Sequence, residues 1–166
     1  ATDKKTDLHH PASQGKSGPS VPGRLGSIMD IFLKLKNMNI LLVDDDEWIR
    51  DSLSVYFESE GCCISTHETA EKALAEIDRH KADVIITDYK LPGMDGIAFL
   101  EKVKKSHPNA VKILITAYAS DSLAQLARQA GAQELISKPF TSKTIEACLT
   151  RLTADENVDA GQQKSK

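Results

Sequence analysis

Five strand-length runs, each followed by a stretch with helical periodicity, limit what this chain can fold into. Asn39–Val43, Cys62–Thr66, Val84–Thr87, Val111–Ile115 and Gln133–Ser137 read as strands. The first of them is continuously apolar, as expected of a strand covered on both faces. After it, Ile49, Leu53, Tyr56 and Phe57 recur at helical spacing, and Gly61 ends that helix. The same period brings Ala70, Ala73, Leu74 and Ile77 to one side of a second helix, and Ile97, Leu100 and Val103 to one side of a third that stops before Pro108. Leu123, Leu126, Ala127 and Ala130 define a fourth helix ending at Gly131, and Ile145, Leu149 and Leu152 a fifth opening near Thr141. Strands alternating with helices of this length predict an α/β fold: a doubly wound, five-stranded parallel sheet with five surrounding helices and right-handed crossovers.

In such a sheet the C-terminal ends of the strands share one edge, where ligands bind. Four motifs fall there: Val43-Asp44-Asp45-Asp46, Thr87-Asp88-Tyr89-Lys90-Leu91-Pro92-Gly93-Met94-Asp95-Gly96, Ile115-Thr116-Ala117 and Ser137-Lys138-Pro139-Phe140. With the flavodoxin-like strand order 2-1-3-4-5, strands one and three are neighbours, so Asp44 and Asp45 face Asp88. At ~4 Å and an effective dielectric near 20, each carboxylate pair costs about 4 kcal/mol. Either one acid is protonated or a hard divalent cation offsets the repulsion; Mg²⁺ (or Mn²⁺) suits carboxylates combined with water and phosphate oxygens. Asp46 reads instead as a residue opening the next helix. A carboxylate such as Asp88 can attack phosphorus and form an aspartyl-phosphate. That transfer needs positioning and charge neutralisation, which Lys138 and the Thr116 hydroxyl would supply alongside the cation.

The remainder of the chain excludes other classes. At 166 residues and 40% apolar content, one domain with tails folds without disulfides. A net charge of −3, with no basic cluster, argues against direct nucleic-acid binding. No run approaches the ~20 residues of a membrane span, no signal-peptide pattern opens the chain, and a cytoplasmic location is expected. Cys62, Cys63 and Cys148 are expected to be buried as small hydrophobes. The domain is expected over residues 37–153, with 1–36 a disordered or vector-derived tail and 154–166 a polar tail. Within the first tail, Ile28–Lys36 suggests one or two helical turns, His9-His10 reads as incidental, and Gly26-Ser27 as an expression-vector junction.

Taken together, in this order and spacing, the four motifs resemble the receiver domain of two-component response regulators, from about Asn39 to Thr153. The resemblance implies that Asp88 is the phosphoacceptor, that Asp45 binds Mg²⁺ directly, Asp44 mainly through water, and that the backbone carbonyl of Lys90 completes the protein ligands. It implies that Thr116 is the switch hydroxyl, that Lys138 pairs with the phosphoryl group, and that the Lys138–Pro139 bond is cis. It also implies a sensor histidine kinase or phosphotransfer protein as phosphodonor, and a downstream protein target or a missing output domain as recipient of the signal. Such a domain catalyses its own phosphorylation and dephosphorylation while serving mainly as a switch, with its fourth helix, fifth strand and fifth helix as the responding surface.

Leu135 departs from the family, which commonly has Phe or Tyr three residues before the lysine. Without a ring there, activation is expected to rely on the Ala117–Ser120 loop. Lys90 and Tyr118 stand two residues after Asp88 and Thr116, where they would shield the acyl phosphate from water. Two other readings compete. A silent interaction module would not need the full set of acids, Thr116 and Lys138. A Mg²⁺-dependent phosphohydrolase using Asp88 would need a general acid where this chain has Lys90.

Overall fold

Apolar side chains that alternate across β-strands make two core layers, one on each face of a sheet. The computed structural model describes residues 24–154. Helix α1 (Arg24–Leu35) comes first, followed by β1 (Asn39–Val43), α2 (Glu47–Ser59), β2 (Cys63–His67), α3 (Ala70–Ile77) and β3 (Val84–Asp88). The second half continues with α4 (Gly96–Ser106), β4 (Val111–Thr116), α5 (Asp121–Gln129), β5 (Glu134–Ser137) and α6 (Ser142–Ala154). All strand pairs are parallel, in the order β2-β1-β3-β4-β5. Ile40, Leu42, Ile86 and Ile113 point to the face that carries α1, α2 and α6. Leu41, Val43, Ile85 and Leu114 point to the opposite face, under α3, α4 and α5.

Caps account for several helix starts. Asp46 accepts the amide of Trp48 at 2.9 Å and opens α2, Asp95 accepts that of Ala98 at 2.8 Å and opens α4, and Ser120 accepts that of Leu123 at 3.1 Å and opens α5. Thr141 lies immediately before α6 and its hydroxyl accepts the Thr144 amide at 3.3 Å, as its sequence position suggested.

Three expectations change. The sheet carries six described helices rather than five, because residues expected in an N-terminal tail form α1. Ile31, Phe32 and Leu35 are buried in the core. The Phe32 ring meets Tyr56 edge-on, with centroids 6.1 Å apart, and Lys34 Nζ donates to the Thr153 carbonyl at 3.3 Å. The packed unit therefore extends N-terminally past residue 37, and Gly26-Ser27 falls inside a helix. Cys63 is exposed at the start of the edge strand β2; Cys62 and Cys148 are buried as expected. Leu126 is 49% exposed, so α5 buries a narrower stripe than its spacing suggests. His9-His10 and the polar stretch after Ala154 lie outside the described residues. Among the described residues, no helix is long and apolar enough to cross a membrane.

Candidate functional site

Because β1, β3, β4 and β5 are consecutive neighbours, their C-terminal ends converge at one edge of the sheet. The register puts Val43 beside Thr87, Asp88 beside Ile115 and Thr116 beside Ser137. Backbone bonds continue the ladder past the strands: the Tyr89 amide donates to Ile115 O at 2.8 Å and the Lys138 amide to Thr116 O at 2.7 Å. Asp44, Asp88, Thr116 and Lys138 are thus set by sheet geometry rather than by loops.

Asp44 is fully buried and Asp88 is 6% exposed, whereas Asp45 is exposed. Carboxylate oxygens of the three lie within 4.8 Å of one another. The Lys138 ammonium stands between two of them, 3.0 Å from Asp44 Oδ2 and 3.2 Å from Asp88 Oδ2. The other Asp44 oxygen, Oδ1, accepts the Asp46 amide at 2.9 Å. Both oxygens of Asp44 are therefore engaged by the protein, while Asp45 offers an unburied carboxylate.

Burial pushes the Asp88 carboxyl above its ordinary value and the neighbouring Asp44 charge pushes it further, with Lys138 opposing both. Burial also raises Asp44, against the Asp46 amide and Lys138. For Lys138, burial alone would favour the neutral amine, but the bonds and charges of Asp44 and Asp88 outweigh it and hold the ammonium. One ammonium against three clustered acids leaves an excess of negative charge. Asp44, Asp45 and Asp88 form a set of hard oxygen donors suited to a small divalent cation.

Thr116 is buried, and its hydroxyl oxygen accepts the Tyr118 amide at 2.9 Å, tying the start of the following loop to the strand end. Lys90 and Tyr118 meet: Lys90 Nζ lies 4.1 Å from the centre of the Tyr118 ring. Leu135 is half-buried, pairs in register with Leu114 and packs into the core under α5. The Lys138–Pro139 bond is cis. Beside Lys138 a groove of about 700 Å³ opens between α2 and the start of α6, lined by Trp48, Ile49, Ser52, Pro139 and Phe140.

Sequence reading missed two supporting residues. Arg50 Nη1 donates to the Asp44 carbonyl at 2.8 Å, bracing the acidic loop from one helical turn away. A Cβ on Gly96 would stand 2.2 Å from the Asp88 carbonyl oxygen, so only glycine lets α4 start this close to the acid. The Asp95-Gly96 pair was visible in sequence, but its meaning depends on the approach of α4 to β3.

Comparison with known proteins agrees with this geometry. The family model described as "Response regulator receiver domain" matches residues 40–150. The C4-dicarboxylate transport transcriptional regulatory protein DctD of Rhizobium meliloti is 34% identical over 107 residues, which is 64% of this chain and 23% of that protein. Sporulation initiation phosphotransferase F of Bacillus subtilis is 34% identical over 106 residues, which is 64% of this chain and 86% of that protein. The chain spans about a quarter of the length of several curated relatives, including DctD and the regulator NtrC of Salmonella typhimurium. Among solved structures, a CheY-like receiver domain protein from Methanospirillum hungatei superposes with a TM-score of 0.68 at 33% identity, covering 72% of this chain and 96% of that one.

Proposed function

This chain belongs to the response regulator receiver family, and from that premise we propose that it is a signalling switch set by phosphorylation of Asp88. The observation that carries the reading is the Lys138 ammonium bridging Asp44 and Asp88, both buried at the sheet edge. A lysine so placed keeps a nucleophilic carboxylate ionised despite burial and waits where phosphoryl oxygens would arrive.

In this reading an oxygen of Asp88 attacks the phosphorus of a phosphohistidine on a sensor kinase or phosphotransfer protein. The P–N bond breaks, its electron pair returns to the imidazole nitrogen, and an acyl phosphate forms on Asp88. Lys138 transfers its contacts from the carboxylates to the phosphoryl oxygens. The Thr116 hydroxyl donates to another of those oxygens. Mg²⁺ (or Mn²⁺) held by Asp45, Asp88 and the Lys90 carbonyl, with Asp44 acting through water, would supply the positive charge that the clustered acids require. The groove beside Lys138 gives the donor protein an apolar surface at the rim of the pocket.

The output follows from connectivity. Thr116 leads into the loop before α5, and Lys138 leads through Pro139 and Phe140 into α6. Moving both side chains toward one phosphoryl group would shift α5, β5 and α6, the surface offered to a downstream protein or to an output domain of the same polypeptide. With Leu135 in place of an aromatic ring, the Ala117–Ser120 loop carries most of that motion. Lys90 and Tyr118 shield the acyl phosphate from water.

Mixing the chain with a donor carrying radiolabelled phosphohistidine tests the reading. Transfer of label to the chain, with borohydride trapping the acyl phosphate at Asp88, is the expected result. Label that stays on the donor, or is trapped at another residue, overturns it.

A further inference from the structure

The segment joining β3 to α4 contains the Lys90 carbonyl, and how that segment is held decides where the carbonyl points. Its two ends are fastened by backbone: Tyr89 N to Ile115 O at 2.8 Å, and Gly96 N to Tyr89 O at 2.8 Å. Between those ends the chain turns at Gly93, which has a φ of +75° that favours glycine. Among the described residues, one side-chain hydrogen bond reaches the Leu91–Met94 turn: the Met94 amide donates to Glu71 Oε1 at 2.8 Å. Glu71 belongs to the first turn of α3, which packs against β1, β2 and α4. The turn is pressed onto this carboxylate, since a Cβ at Gly93 would stand 2.6 Å from Glu71 Oε1. Thr69 caps α3 by accepting the Lys72 amide at 3.2 Å and, among the described residues, makes no hydrogen bond to the turn. The Met94 amide in turn holds the Glu71 carboxyl below the usual range.

We propose that Glu71 is a positioning residue for the cation site: it clamps the Pro92-Gly93-Met94 turn and so sets the Lys90 carbonyl. The proposal rests on the reading of Asp45, Asp88 and Lys90 as the cation's protein ligands. Mg²⁺ demands near-ideal octahedral geometry at short distances, so a small swing of one carbonyl weakens binding. Groups outside the coordination sphere that orient ligands typically change metal affinity by roughly ten- to a hundredfold. Glu71 is exposed and acts through backbone, so an effect of about three- to tenfold is expected.

The experiment is a Mg²⁺ titration of the chain followed by amide NMR shifts, in wild type, Glu71→Ala, Glu71→Gln and Thr69→Ala, with thermal midpoints for all four. Glutamine keeps an acceptor for the Met94 amide; alanine does not. Glu71→Ala is expected to weaken Mg²⁺ about three- to tenfold and Glu71→Gln to restore it to near wild type. Thr69→Ala, which loosens α3 without removing the clamp, is expected to lower the thermal midpoint and leave Mg²⁺ affinity unchanged. Wild-type affinity in Glu71→Ala overturns the proposal, as does glutamine no better than alanine, or an equal loss in Thr69→Ala. A wild-type chain with no saturable Mg²⁺ shifts near Asp45 and Asp88 fails differently, removing the cation site itself and the clamp's role with it.

Discussion

The Lys90 ammonium rests 4.1 Å from the centre of the Tyr118 ring, joining the segment after Asp88 to the segment after Thr116. Lys90 stands two residues after Asp88 and Tyr118 two residues after Thr116. Tyr118 is 59% exposed, so the contact itself contributes only about 0.5–1 kcal/mol. In the proposed switch its effect is on access. Tyr118→Ala removes both the bulk and the partner that holds Lys90, and is expected to speed loss of the acyl phosphate by roughly three- to tenfold. Lys90→Ala should also speed it, and the double variant should add less than the sum because the two share one contact. Dephosphorylation rates measured after removing the phosphodonor check this; an unchanged or slower rate in Tyr118→Ala contradicts shielding.

In the proposed switch, Thr116 and Lys138 divide the work. Moving an equilibrium from 1:99 to 99:1 takes about 5.5 kcal/mol, and a hydrogen bond to a charged group supplies about 1.5–3 kcal/mol. Neither residue suffices alone. Thr116→Ala is expected to accept phosphate and yet show a much smaller change over α5, β5 and α6 when loaded with a phosphate analogue. Amide shifts with and without the analogue measure it. Full-sized changes in Thr116→Ala contradict the division, and changes that centre on Leu135 rather than on Ala117–Ser120 contradict the loop route.

His67 gives a pH dependence of known sign. It closes β2, its Nε2 is buried without a hydrogen-bond partner, and Glu76 lies 3.9 Å away. Burial lowers its pKa from the ordinary 6.5, with Lys72 also lowering it and Glu76 opposing. A depressed pKa means that the neutral ring stabilises the fold fully above 6.5, and that this contribution fades as pH falls through the folded value. Wild type should therefore lose more stability than His67→Leu between pH 7.5 and 5.5. Urea midpoints at the two pH values measure the difference; equal losses contradict a neutral buried ring.

Helix α1 is structural rather than a tail. Phe32 is 7% exposed against Tyr56, whose hydroxyl donates to Glu146 on α6. Truncating a buried Phe to Ala costs about 3–5 kcal/mol in a full core, and about 2–3 kcal/mol is expected at this boundary helix. A urea midpoint for Phe32→Ala equal to that of wild type would return α1 to the status of an appendage.

Most of the sheet and all the acids of the site were legible in sequence, because strand-length runs and their terminal motifs are local signals. Val111–Ile115 was short by only one residue of β4, and Val84–Thr87 by one of β3. What stayed hidden depends on partners far along the chain. Ile28–Lys36 suggested one or two helical turns, but the surface that receives Ile31, Phe32 and Leu35 is made by α2 and α6. Cys63 read as buried although the expected strand order put strand two at the sheet edge, because period-two patterning does not say how much of an edge strand its neighbours cover. Leu126 fitted the helical stripe, yet α5 covers β4 and β5 only along Leu123 and Ala127. Glu71 carried no signal at all; its bond to Met94 joins residues 23 apart through a turn.

Intact-protein mass after incubation with Mg²⁺ and acetyl phosphate, beside Asp88→Asn, tests the central claim most directly. One added phosphoryl group in wild type, lost in Asp88→Asn and lost without Mg²⁺, is the expected result. An adduct that survives Asp88→Asn, or no adduct from acetyl phosphate or any phosphohistidine donor, would contradict the switch and leave a binding module with an unused pocket.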